Sequence, residues 1–160
     1  MERKLVINNN ISFFYKKIQE NRGRVTLVLS TDVFIEGVLN AESYSGRLID
    51  YLIEERFDIA MDDRIYLEYS AKLNDKKLGL EKKGVNYLLK FLEEKGQFVT
   101  AEKLKTKEIN LGDNYLKFVE VARSSYSNAI IILERDILKF AYINLLHVIM
   151  TPEEVYEKLL

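Results

Sequence analysis

Cysteine is absent from the 160 residues, which excludes disulfides, thiolate metal sites and a cysteine nucleophile together. That absence agrees with a reducing compartment, and a cytoplasmic location is the expectation. Histidine occurs once, as His147 in the apolar run Leu145-Leu146-His147-Val148-Ile149-Met150, where it reads as a strand residue. Imidazole-based catalysis and zinc chemistry therefore have little support. Glycine is scarce, with seven in the chain and none between Leu29 and Glu36, so no glycine-rich phosphate loop follows the first apolar strand. Long apolar runs are missing too. Met1-Glu2-Arg3-Lys4 is followed by only three apolar residues before Asn8, too few for a signal-peptide core, and no later stretch approaches membrane length. Charge of one sign is also lacking: the formal net charge is -1, which argues against coating nucleic acid by charge alone but permits local basic patches.

What is present is enough apolar content, 48%, for one substantial core. Residues 1–23 read as an N-terminal helical extension, with Ile11, Phe14, Tyr15 and Ile18 on one helical face and Gly23 closing it; residues 24–160 read as one globular unit. Within that unit strands and helices alternate, the pattern of a mainly parallel sheet covered by helices. Val25 to Leu29 is the first core strand, running into Ser30-Thr31-Asp32 and then Val33-Phe34-Ile35. Leu48, Ile49, Leu52 and Ile53 mark a helix, and residues 57–61 a second strand. Asp62-Asp63 opens a helix with the inner stripe Ile65, Tyr69 and Leu73, on which Glu68 also lies. Val85, Leu88, Leu89 and Leu92 line the next helix, and residues 97–100 suggest an edge strand. Gly112-Asp113 opens a helix containing Leu116, Val119 and Ala122. Residues 129–133 are the most aliphatic strand, expected near the centre of the sheet. A strand at 146–150 precedes Thr151-Pro152-Glu153-Glu154, which combines an N-cap, a first-turn proline and a capping-box glutamate.

In open α/β sheets, ligands bind beyond the carboxyl ends of the strands. Four acidic positions recur where such a sheet would gather them: Asp32, Glu68, Asp113 and Glu134. Clustered carboxylates repel one another unless a cation neutralises them, and magnesium or manganese would do so.

The order of these segments resembles the PIN-domain family, compact metal-dependent nucleases that include many ribonucleases of toxin-antitoxin pairs. The resemblance extends from about Arg24 to Leu160. Leu29-Ser30-Thr31-Asp32-Val33-Phe34-Ile35 is similar to the family's Leu-Asp-Thr-Asn-Val-Phe-Ile, and Glu68-Tyr69 to its helical Glu-Tyr pair. Asp113 to Ala122 resembles Asp-x-x-x-x-Phe-x-x-x-Ala, and Ile132-Leu133-Glu134-Arg135-Asp136-Ile137-Leu138 resembles Thr-Gly-Asp-x-Asp-Leu-Leu. Thr151-Pro152-Glu153-Glu154-Val155 is similar to the closing Thr-Pro-x-x-Phe. The resemblance implies a three-layer α/β/α domain with a mainly parallel central sheet of four to five strands. It also implies an endoribonuclease-like hydrolase acting on RNA, with Glu68, Asp113 and Glu134 as catalytic and metal-binding residues and Asp136 as a further ligand of magnesium or manganese; Asp32, which stands where the family has asparagine, joins the metal-ligand candidates by its position beside them.

Two features depart from the pattern. Ser30 stands where the family has its leading metal-binding aspartate, and Ile132 and Leu133 replace the threonine and glycine before the last acidic pair. Asp32 offers a replacement, since residues two apart on an extended strand share a face. The same departures motivate an alternative: a catalytically degenerate PIN-like domain that binds nucleic acid or assembles with protein, an antitoxin or a second copy among the candidates. Ser30 and Thr31, with Lys72, Lys76 and Lys77 after the Glu68 helix, are the candidate substrate-binding groups, because phosphates near acidic clusters need flanking donors and cations. Lys103, Lys105 and Lys107 form another basic segment. Each residue also has an ordinary role open to it: Asp113 and Glu134 as helix caps, Ser30 and Thr31 as local hydrogen-bonding groups, the lysines as a solvated loop.

Overall fold

The computed structural model describes residues 24–104, 113–140, 148–158 and 160; the side chains of Asp113 and Leu138 lie outside that description. The helical extension expected over residues 1–23, Lys105 and Lys107, Gly112 and His147 fall outside it as well.

Among the described residues five parallel strands form the sheet: β1 Thr26–Leu29, β2 Asp58–Met61, β3 Gln97–Phe98, β4 Ala129–Ile131 and β5 Ile149–Met150, in the spatial order β3-β2-β1-β4-β5. Leu27 stands between Ile59 of β2 and Ala129 of β4, which fixes the register across the middle of the sheet. Leu27, Val28, Leu29, Ala129, Ile130 and Ile131 are all fully buried, so the inner strands are covered on both faces, as their unbroken aliphatic runs require. The result is a three-layer α/β domain. β1 is the middle strand, and the aliphatic β4 lies beside it in the interior of the sheet, as its unbroken aliphatic run suggested. β3 is the edge strand its position suggested. Asn128 locks β1 to β4: its side-chain oxygen accepts from the Thr26 amide at 2.9 Å, and its own amide donates to the Thr26 carbonyl at 2.7 Å.

The helices are α1 Thr31–Leu39, α2 Tyr44–Ile53, α3 Asp63–Leu73, α4 Lys82–Lys95, α5 Asp113–Ser125 and α6 Pro152–Lys158. Periodicity located α2 to α5 and the Thr151 capping box located α6, but neither signal marked α1. Val33, Phe34 and Gly37 form its buried face, and the β-branched residues around them disguise a helix that begins one residue after Ser30. α1 packs on α2 and α3, and α5 lies across β2, β1 and β4. Gly37 permits the first of these contacts, because a Cβ there would stand 2.5 Å from both the Ile49 Cγ1 and the Ser45 carbonyl oxygen. The Ile65, Tyr69 and Leu73 stripe of α3 is buried as expected. At the start of α6, Thr151 and Glu154 form the reciprocal capping box, with the Glu154 amide on Thr151 Oγ1 at 3.2 Å and the Thr151 amide on Glu154 Oε1 at 3.4 Å.

An ionic network between the exposed Arg64 and two buried carboxylates ties α3 to α5. Arg64 donates to Asp62 at 2.8 Å and to Glu120 at 2.9 Å, while the second Glu120 oxygen accepts from the Leu104 amide at 2.8 Å. Burial alone would depress the Arg64 guanidinium, but its bonds to Glu120 and Asp62 outweigh that and hold its pKa above the usual value. Glu120, only 3% exposed, is thus paired with a cation and hydrogen-bonded, as a buried carboxylate must be.

Candidate nucleic-acid interface at the carboxyl end of the first strand

β1 ends beside a cleft of about 380 Å³ built from Ser30, Thr31 and Asp32 at the start of α1, Glu68 and Lys72 on α3, and Asn114, Tyr115 and Phe118 on α5. Its place follows from topology: strands of a parallel sheet stop together at one edge, and the helix N-termini that follow them crowd there.

Ser30 is buried, and its backbone amide donates to the Ile131 carbonyl at 2.9 Å. Its side-chain oxygen accepts from the Val33 amide at 3.3 Å, making it the N-cap of α1. The helix begins immediately afterwards, so Asp32 occupies a first helical turn and not an extended strand shared with Ser30. Geometry of the period-two kind therefore does not apply to the pair. Asp32 lines the cleft, and its half-exposed carboxylate stands 3.7 Å from Arg135.

Glu68 is held from two sides. Thr31 Oγ1 donates to Glu68 Oε1 at 2.5 Å, and the Lys117 ammonium, on α5, donates to Oε2. Lys117 is only 8% exposed. Next to Glu68, the fully buried Tyr69 stacks on Phe34 of α1, with ring centroids 4.2 Å apart and planes within 7°, and its hydroxyl donates to the Leu29 carbonyl at the end of β1. Burial, with the Glu68 charge behind it, raises the Tyr69 pKa well above its usual value, so the hydroxyl remains a donor. This bond anchors the helix that carries Glu68 to the strand that carries Ser30.

The remaining acids lie around this arrangement. Asp136, in a 3₁₀ turn over Glu134–Phe140, is buried and accepts from Lys139 at 3.1 Å. Lys139 also donates to the Tyr115 hydroxyl at 3.0 Å, and these bonds, that to Tyr115 first, raise its pKa. Glu134 and Arg135 line a second cleft of about 640 Å³, together with Glu36, Arg47 and Glu153. Asp113 is the first residue of α5, with its side chain outside the described residues. Lys72 reaches the first cleft, whereas Lys76 and Lys77 lie exposed on the 3₁₀ turn beyond α3. Among the described residues, no three His, Cys, Asp or Glu side chains come together in a metal-holding group.

A PIN domain family model matches residues 26–136, more than half of the chain. The chain belongs to the PIN domain family. Membership gives this PIN domain a role connected with nucleic acid, and the matched span contains both β1 and the Glu68 helix. No curated protein and no solved structure matches the chain significantly. None of the described helices of the PIN domain is long and apolar enough to cross a membrane.

Lys117 is the residue that sequence reasoning overlooked. Asp113, Lys117 and Glu120 fall at i, i+4 and i+7 of α5, one charged stripe with the apolar Leu116, Phe118, Val119 and Val121 around it. A helix so apolar on both sides of a charged stripe has no solvent face for it. Internal pairing was the remaining outcome, and Lys117 and Glu120 both take it.

Proposed function

We propose that this PIN domain binds single-stranded RNA at the cleft beyond β1 without hydrolysing it. The observation that carries the reading is Ser30: the buried position at the end of the middle strand holds a neutral hydroxyl already committed to capping α1. Hydrolysis of the family type needs carboxylates with free oxygens converging on a divalent cation, which would activate water and neutralise developing charge. The described donors do not fit such an ion. Asp32 faces Arg135, Asp136 faces Lys139, and both Glu68 oxygens have partners.

Binding draws on what the cleft offers instead. Lys72 supplies a cation, Asn114 an amide, and Tyr115 an aromatic ring beside them. Single strands are held by such mixtures, with cations on the phosphates and rings against the bases. Lys76 and Lys77 continue the basic character along the exposed turn after α3.

The test is fluorescence anisotropy with a labelled single-stranded RNA at several salt concentrations, run with EDTA and with manganese, and gel analysis of the same mixtures. Binding should weaken as salt rises, be indifferent to EDTA, and leave the RNA intact. Lys72→Ala should reduce the slope of log K against log salt by about 0.7, the value for one phosphate contact on a single strand. Manganese-dependent cleavage that disappears in Asp113→Asn would establish the active nuclease instead, and absence of RNA binding at low salt would refute the proposal outright.

A further inference from the structure

We infer that Lys117 is the resident cation of this cleft: its ammonium neutralises Glu68 from within the fold and closes the position to divalent metal. The inference deepens the reading above, on which it rests for the meaning of the cleft.

Three observations combine. Lys117 sits on the inward face of α5, 8% exposed, and its ammonium bonds Glu68 Oε2. The other carboxylate oxygen accepts the Thr31 hydroxyl at 2.5 Å. Glu68 itself is only partly covered, with a third of its side chain accessible from the cleft, so an ion from solvent has a path to it. Access is therefore not what keeps a metal away. An ammonium carried on a packed helix is already desolvated and positioned, whereas a magnesium ion must shed tightly held waters to reach a carboxylate whose two oxygens are already bonded. A divalent ion bound there would also stand next to a fixed positive charge, and the two would repel.

Removing the charge while keeping the stem should open the site. Lys117→Met retains an unbranched apolar side chain for packing and leaves Glu68 without its internal cation. The probe is manganese alone, titrated calorimetrically into the full chain at neutral pH, with circular dichroism verifying the fold. Lys117→Met should bind manganese at least tenfold more tightly than the unmodified protein, and adding Glu68→Gln should abolish the gain. Equal affinity of the two proteins, or a folded Lys117→Met that gains none, overturns the inference.

A second measurement needs no substitution. Amine-reactive labelling of the native chain, read by mass spectrometry, should find Lys117 protected and its protection unchanged by millimolar manganese. Manganese that exposes Lys117 to labelling would show the metal displacing it, and would overturn the inference. Neither experiment involves RNA, so failure of RNA binding would remove the functional reading and leave the cation assignment standing.

Discussion

Tyr69→Phe isolates one hydrogen bond at the foundation of the cleft. The ring is fully buried and stacked on Phe34, and phenylalanine keeps that stack, so the substitution removes the hydroxyl and little else. The lost donor serves the Leu29 carbonyl, one residue before Ser30. Losing a buried bond and leaving its acceptor without that donor costs about 1–3 kcal/mol. For a chain of this length each kcal/mol lowers the melting temperature by roughly 2–4 °C, so a loss near 2 kcal/mol should appear as about 4–8 °C. Urea unfolding followed by far-ultraviolet circular dichroism should show a lower midpoint at unchanged slope.

The pH dependence supplies an independent check. The folded pKa of Tyr69 is raised by burial above the ordinary 10.0, so the folded state retains the proton longer than the unfolded chain. The associated stability is complete below pH 10 and is lost as pH rises from there toward the folded value. As pH rises above 10 the advantage of the unmodified protein over Tyr69→Phe should shrink, by on the order of 1 kcal/mol at pH 11, because only the unfolded tyrosine is ionised there. A variant within 0.5 kcal/mol of the unmodified protein at pH 7 would refute the assigned bond, and a difference constant from pH 8 to 11 would refute the burial that keeps the hydroxyl protonated. Tyr66, whose pKa is pushed up to about 12 by burial and its bond to Glu93, contributes in the same direction but equally to both proteins.

Two further outcomes follow from the packing around the cleft. Gly37→Ala should destabilise by about 1–3 kcal/mol in chemical unfolding, because its Cβ would press on the Ser45 backbone and on Ile49; a neutral result would refute the close approach of α1 and α2 at this glycine. Ser30→Ala should cost about 1 kcal/mol through loss of the α1 cap, and Ser30→Gly only a few tenths beyond the added backbone freedom of glycine; equal stability of the alanine variant and the unmodified protein would remove the capping role.

Much of the architecture was legible in local pattern. The aliphatic runs at β1, β2 and β4, the Ile65, Tyr69 and Leu73 stripe and the Thr151 to Glu154 cap all depend on neighbours within a few residues, and such patterns survive translation into structure. α1 was concealed because its helical face is short and its residues also suit a strand. The consequence reached the site: Asp32 entered a helix, and the strand geometry that would have aligned it with Ser30 did not form.

The sequence by itself determined the alternation of strands and helices, the family, and the hydroxyl at the end of β1, because each is a property of residue identity in order. Only the tertiary structure decided what the charges do. Lys117 lies 49 positions from Glu68, Arg135 meets Asp32 from the turn that follows β4, and Arg64 joins Glu120 across two helices. A buried or half-buried charge takes the nearest compensating group in space, and that distance is set by how the helices pack on the sheet.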